Sequence, residues 1–181
     1  MISILDDTVA LLERTPGALS LLLRGLPGVL LRGYEGEKTW NACEVIAHLV
    51  HTEQSNWIPR ARMILEFGEQ QTFAPLDREA FQSDSRKLSV ETLLDEFARL
   101  RAENLKELRS LDLSPESLER TGRHSAFGIV TLSQLLATWA AHDLTHLHQI
   151  SRILAHQFRQ AVGPWEVFLG VLKCEGHSAK Q

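Results

Sequence analysis

Three histidines in two distant parts of the chain carry the clearest chemical signal in the sequence. His142 and His146 lie four residues apart in the run HDLTHLHQ, and His48 lies far earlier. Residues four apart on a helix project to the same side, so this pair can hold one metal ion between two imidazoles. The spacing alone is a weak signal, because the HExxH motif of zinc peptidases requires Glu where this chain has Asp143.

The histidine pair shares its helix face with apolar residues. The three- and four-residue spacing of an inward bundle seam is followed by Leu135, Trp139, His142, His146, Gln149 and Ile153. Imidazoles in an apolar interior are costly without partners, and a metal ion removes that cost. His48 is preferred as the third ligand because it lies in an apolar stripe of its own segment, and His51 remains the alternative. Three neutral imidazoles leave coordination positions open, as in a catalytic site.

Other polar residues are weaker candidates. Gln149 should project close to His142, where its amide either orients a ligand or packs between helices. Asp143 and Glu53 can hold an imidazole by its second nitrogen, but as acids on helix surfaces they are expected to be solvated. Three arginines could bind an anionic substrate but are also expected to be solvated: Arg60, Arg62 and Arg123. His124, in the second long connection, could reach the mouth of the site.

The apolar spacing predicts an all-α protein, a four-helix bundle with two long connections in one domain that spans residues 1–181. The predicted helices cover about 4–24, 42–68, 90–111 and 131–155. The connections, 69–88 and 112–130, are predicted to be irregular, with short helices near 78–81 and from 114 onwards.

Helix boundaries are marked by capping and breaking residues. Asn41 with Glu44, and Thr131 with Gln134, have the spacing of capping boxes. Ser89 is a third predicted N-cap. Two prolines should interrupt helices: Pro16, with Thr15 as its N-cap, splits or kinks the first helix, and Pro59 kinks the second.

Composition excludes several classes of protein. With 181 residues, a formal charge of −4 and mixed charges, the chain offers no broad basic surface for nucleic acid or for an anionic membrane. Two cysteines, Cys43 and Cys174, form no CxxC pair and no disulfide framework. The first residues do not have the pattern of a signal peptide, and no apolar run is long enough to span a bilayer. We therefore expect a cytoplasmic protein.

An apolar segment, 165–172, follows the fourth predicted helix. The earlier stripes already fill a bundle core, so this segment must cap the bundle or cover a neighbouring molecule. Large apolar patches usually mark contacts, and two-fold dimers are the commonest oligomers. The sequence therefore predicts a homodimer.

Two segments resemble the second and last long helices of the DinB-like, or YfiT-like, metal-dependent family. They are WNACEVIAHLVHTE (40–53) and GIVTLSQLLATWAAHDLTHLHQI (128–150), supported by LLERTPGAL (11–19) and VGPW (162–165). The resemblance implies a four-helix bundle, often dimeric, with a divalent metal ion on His48, His142 and His146. It also implies, for some members, the transfer of small thiols such as bacillithiol, mycothiol or glutathione.

These observations favour a metal-dependent enzyme that acts on a small molecule, with thiol transfer and hydrolysis as the candidate reactions. Imidazole ligands suit Zn, Ni or Fe, and the sequence does not choose among them. It offers no serine or cysteine nucleophile beside a base, so no catalytic residue is assigned. Two alternatives stay open: a non-catalytic metal-binding stress-response bundle that acts through dimerisation, and a structural bundle without metal.

Overall fold

The computed structural model describes residues 4–77 and 87–173. In chain order, its helices are α1 (Ile4–Leu12), α2 (Thr15–Leu23), α3 (Gly28–Leu31), α4 (Ala42–Ser55), α5 (Trp57–Phe67), α6 (Val90–Ser110), α7 (Pro115–Leu118), α8 (Leu132–His156) and α9 (Gly170–Lys173). Two strands, β1 (Thr121–His124) and β2 (Gly128–Thr131), and two 3-10 turns, Gly68–Gln70 and Gly163–Phe168, complete the described secondary structure.

The predicted four-helix bundle is confirmed. Its four positions are filled by α1 with α2, by α4 with α5, by α6 and by α8. Helix α4 packs against both α6 and α8, while α1 packs against α8 and α2 against α6. Each long helix has an apolar stripe that faces the others, and together the stripes bury two adjoining hydrophobic clusters. Helices α4 and α8 therefore meet along the length that carries the three histidines.

Both predicted proline interruptions divide a helix in two. Thr15 begins α2 instead of capping it, and Arg14 is the N-cap, so that part of the prediction is wrong. Pro16 then lies in the first turn of α2. Backbone N–H groups there have no acceptor within the helix, so the proline costs no hydrogen bond. The second interruption falls at Asn56, between α4 and α5. Pro59 explains it, because a proline ring clashes with the carbonyl four residues earlier, here that of Ser55.

The helices that carry the histidines begin where the sequence predicts. At α4, the Asn41 side chain accepts from the Glu44 backbone N–H at 3.0 Å, and the Glu44 carboxylate accepts from the Asn41 N–H at 2.8 Å. Thr131 and Gln134 form the same reciprocal pair at the start of α8, at 3.1 and 2.9 Å. These capping boxes satisfy backbone donors that would otherwise lack partners, and so fix the first turn of each helix.

The connection at 112–130 contains a β-hairpin that the sequence did not predict, besides the predicted short helix α7. Strands β1 and β2 pair antiparallel, with Thr121 opposite Thr131. Gly122 allows the hairpin to lie on the bundle, since a Cβ at this position would come within 2.6 Å of the Ile64 side chain. The short helix predicted near 78–81 lies outside the described residues. Within residues 4–77 and 87–173, no helix is both long enough and apolar enough to cross a membrane.

Candidate metal centre

The bundle brings His48, His142 and His146 together, although 94 residues separate the first two in sequence. The Nε2 atom of His142 lies 3.1 Å from the Nε2 atom of His48 and 3.1 Å from that of His146. His142 and His146 are one turn apart on α8, and His48 faces them from α4. The central imidazole is therefore His142, with one neighbour on its own helix and one across the interface.

The spacing of these nitrogens fits one metal ion. Ligands at roughly 2.0–2.1 Å from a zinc-like ion lie about 3.0–3.4 Å from one another. One ring nitrogen of each histidine lies within 4.8 Å of the other two, and across the described chain no carboxylate or thiol joins this group. The donor set is thus three imidazoles, which leaves coordination positions for water or substrate.

Burial favours the neutral form of His142 and His146, which is the form that binds a metal ion. His48 and His146 are buried, with 5% and 4% of their surface exposed, and His142 is half-buried. Burial holds the pKa of His142 well below its ordinary value, and the nearby His146, His48 and Arg101 lower it further when charged. Protonation of His142 is therefore disfavoured before any ion arrives.

A hydrogen bond orients the ring of His146. Its Nδ1 lies 2.8 Å from the amide oxygen of Gln149, so the Nδ1–H tautomer donates and the Nε2 lone pair points to the other histidines. Burial lowers the pKa of His146, and the contacts with Gln149 and Asp143 act against that shift. Of the two predicted roles of Gln149, the structure supports the orientation of a ligand.

Indole rings line the histidine cluster. Trp40 lies against His48 and His146, with ring centroids 5.0 and 6.4 Å apart. Trp57 meets His142 edge-on at 5.1 Å and stacks on Trp139 at 5.7 Å with an interplanar angle of 10°. These rings exclude water from the back of the cluster, and the half-buried His142 marks its more accessible side.

A buried charge cluster lies beside the histidines. Arg101 on α6 donates to both carboxylate oxygens of Asp143, at 2.7 and 2.9 Å, and to Glu53 at 2.9 Å. Glu53 also accepts from Trp139 Nε1 at 2.9 Å and from the Asn104 amide at 2.9 Å. Burial acts to lower the pKa of Arg101, but the two carboxylates offset that and raise it.

The expectation that Asp143 and Glu53 are solvated is wrong, since both are almost completely buried. They do not hold the imidazoles either, because their oxygens are engaged by Arg101 and its neighbours. Arg101 itself was not predicted as a functional residue. The sequence did indicate its burial, because Arg101 falls in the spacing of the apolar stripe of α6, between Phe97 and Leu105.

The remaining candidates have roles outside the cluster. His51 is half-buried near Ser55, and His124 Nδ1 accepts from two backbone N–H groups in its own hairpin turn. Arg60 stacks on Phe73, and the other two arginines form ion pairs at the surface: Arg62 with Glu107, and Arg123 with Glu69.

Comparison with known proteins agrees with the observed fold. A chain described as YfiT from Bacillus subtilis, a probable metal-dependent hydrolase with an unusual four-helix bundle topology, superposes with a TM-score of 0.69. The alignment covers 86% of this chain and 91% of that one at 22% identity, a level that establishes the shared fold alone. No curated protein matches by sequence. The DinB superfamily profile matches residues 11–150, and the chain therefore belongs to the DinB superfamily.

Proposed function

We propose that the chain is a metal-dependent enzyme that acts on a small molecule, with a divalent ion held by His48, His142 and His146. The observation that carries the proposal is the convergence of three buried or half-buried imidazoles, with 3.1 Å between successive Nε2 atoms. Such an ion supplies Lewis acidity, which polarises a substrate oxygen and lowers the pKa of a coordinated water or thiol. Zn, Ni and Fe all suit the imidazole ligands.

The chain's own residues supply the binding geometry and a water-poor wall. Gln149 holds the Nδ1 proton of His146, and Trp40 and Trp57 cover the faces of the cluster away from solvent. No carboxylate joins the cluster within the described residues, so substrate would approach a cationic centre beside His142. This arrangement favours substrates with an anionic or strongly polar reacting group.

Hydrolysis and thiol transfer are the two reactions we propose to test. The description of YfiT as a probable metal-dependent hydrolase supports the first. The sequence resemblance to a family in which some members transfer bacillithiol, mycothiol or glutathione supports the second. In both reactions the nucleophile, water or thiolate, is small enough to take an open coordination position beside three imidazoles.

Metal content is the first test. Protein purified without an affinity tag should contain close to one equivalent of a divalent metal by mass spectrometry. His146→Ala should lose it, and His148→Ala, an exposed residue on the same helix, should keep it. A metal-free wild-type protein that also fails to take up added Zn²⁺, Ni²⁺ or Fe²⁺ would contradict the proposal and support the purely structural bundle.

Activity is the second test. The loaded protein should be incubated with activated esters and amides, and separately with each small thiol and an electrophile. We expect turnover in one of the two panels, lost in His146→Ala and retained in His148→Ala. Product identity then separates hydrolysis from thiol transfer.

One observation favours a second function, a non-catalytic metal-binding bundle that acts through dimerisation. Near the end of the described chain, Trp165, Val167 and Phe168 are 69%, 60% and 79% exposed. A patch of this kind suits a protein partner or a second copy. Bound metal without turnover in either panel would support this alternative.

A cytoplasmic location stays a prediction from composition.

A further inference from the structure

We infer that Arg101 is the positioning residue of the metal site and that it fixes His142 through the carboxylate of Asp143. The inference rests on the proposed binding of a metal ion by His48, His142 and His146. Arg101 lies on α6, a helix that supplies no ligand, and only 1% of its surface is exposed. Its guanidinium contacts both helices that do supply ligands.

His142 is a ligand that needs such support. It is the central imidazole, 3.1 Å from the nitrogens of both His48 and His146. The ring of His146 is oriented by Gln149, but the buried Nδ1 of His142 has no hydrogen-bond partner among the described residues. Metal-bound imidazoles are ordinarily oriented by a hydrogen bond at the second nitrogen. Some other constraint must therefore act on His142.

The first constraint acts through the backbone. Arg101 Nη1 and Nη2 donate to the two oxygens of Asp143 at 2.7 and 2.9 Å, and Nη1 also donates to the Leu12 carbonyl at 2.8 Å. A planar fork on a carboxylate fixes direction as well as distance. Because Asp143 directly follows His142, the fork sets the rotation of α8 at the ligand.

The second constraint acts on the ring. Arg101 Nη2 donates to Glu53 Oε1 on α4 at 2.9 Å, and the same oxygen accepts from Trp139 Nε1. The indole of Trp139 stacks on Trp57, whose ring lies edge-on against His142. One guanidinium thus ties α4 to α8 and supports the central ligand from the backbone side and from the ring side.

A purely stabilising role explains the cluster less well. Burying a guanidinium and two carboxylates returns little net stability, and packed apolar side chains of similar volume do as well or better. A planar fork that holds carboxylates from two helices does what apolar side chains cannot, because it specifies one relative placement of those helices. Loss of the fork should therefore weaken metal binding as well as stability, because it removes the constraint on the relative placement of the two ligand-bearing helices.

The test separates affinity from stability. Arg101→Lys keeps the positive charge but lacks the fork, and Leu108→Ala removes buried packing about two turns further along α6. Co²⁺ is titrated into metal-free wild type and both variants, with visible absorption as the readout, and each metal-free melt is recorded. We expect Arg101→Lys to weaken Co²⁺ binding by roughly tenfold or more and to change the absorption bands. Leu108→Ala should keep wild-type affinity and bands, although its melt is lowered.

The possible outcomes are distinct. If Arg101→Lys binds Co²⁺ as tightly as Leu108→Ala does and with unchanged bands, the positioning role is overturned while the metal site stands. If wild type itself binds no Co²⁺, the proposed function fails and the positioning role falls with it. Asp143→Asn, which keeps the size of the side chain but accepts only one of the two N–H groups, is titrated in parallel. It should show the same weakened affinity and altered bands, and it carries the test if Arg101→Lys does not fold.

Discussion

At the scale of single residues, His142 and His146 differ in how the protein holds them. His146 has a hydrogen-bonded amide behind it, whereas His142 depends on packing and on the fixed residue that follows it. Both arrangements keep a neutral ring turned toward the same point. The cluster is preorganised, so binding an ion should require little rearrangement of side chains.

Gln149→Leu tests the hydrogen bond behind His146. The substitution removes the acceptor for Nδ1–H, so the ring loses its fixed tautomer and orientation, and metal affinity should fall by about 10- to 100-fold. Competition with a chromophoric chelator measures the change. Ser151→Ala, an exposed change on the same helix, should leave affinity unaltered. Equal affinities for the two variants would show that the amide does not orient the ligand.

Cys43 should be chemically quiet. Its side chain is 1% exposed, and burial raises the pKa of the thiol, with Glu44 and Glu91 adding to the rise and Arg32 opposing it. Less thiolate forms at a given pH, and the reagent has little access. In a Cys174→Ser background, a disulfide reagent at pH 8 should label Cys43 at a small fraction of the rate seen in denaturant. Rapid labelling of the native protein would contradict the packing of α4 described above.

The sequence predicted that the three histidines lie together, but it did not predict the buried charge cluster beside them, and the reason is physical. His142 and His146 are four apart on an apolar face, and that periodicity is visible in one dimension. Asp143 and Glu53 each look like an ordinary surface acid, because their common partner, Arg101, comes from a third helix. Spacing within one helix does not reveal a contact among three helices. The position of Arg101 within the apolar stripe of α6 nevertheless indicated that this charged side chain needs buried partners.

At the scale of elements, the starts of α4 and α8 were the most predictable feature. A capping box depends on residues three apart in sequence, so local reading finds it. The hairpin of β1 and β2 was missed because each strand has four residues, too few for a clear alternation. Its strands are held by each other and by contacts with the rest of the protein, such as the hydrogen bond to the Arg123 carbonyl from the N–H of Phe73, in the connection after α5, at 2.8 Å.

Thr131→Ala tests the cap of the helix that carries two ligands. Loss of the side-chain acceptor for the Gln134 N–H should destabilise the fold by about 1 kcal/mol. Because the cap is about three turns from His142, metal affinity should stay within about threefold of wild type. Denaturant melts of the metal-free protein and a metal titration check both parts. Thr138→Ala, inside the same helix and exposed, is the matched control: it should not lower stability, because alanine has the higher helix propensity, and it should leave metal affinity unchanged.

At the scale of the whole molecule, the proposed ion should stabilise the fold. An ion that binds the folded state preferentially adds stability that grows with the ratio of free metal to Kd, about 2.7 kcal/mol at a hundredfold excess over Kd. Chelator should therefore lower the Tm of the loaded wild type. His146→Ala should respond little to chelator, since it has already lost the site. An unchanged Tm after verified removal of the metal would mean that the ion does not couple to folding.

Assembly is the second prediction at this scale, and it rests on Trp165, Val167 and Phe168. We propose that this exposed patch covers a second copy of the chain, giving a homodimer. Light scattering at low micromolar concentration should give twice the chain mass of 20.4 kDa. Trp165→Ser with Phe168→Ser should return the single-chain mass. A wild-type mass of 20.4 kDa would show that the patch has another role.

The separation of the ligands along the chain has a consequence for how the protein folds. An ion shared by His48 and His142 closes a loop of 94 residues, and closing a flexible loop costs entropy that grows roughly as (3/2)RT ln n. In an unfolded chain, only the local pair of His142 and His146 can bind an ion without that cost. Full affinity therefore arises only after the two halves of the polypeptide have met. Metal binding with full affinity would therefore show that folding is complete. A chain in which only α8 has formed would not bind the ion with full affinity.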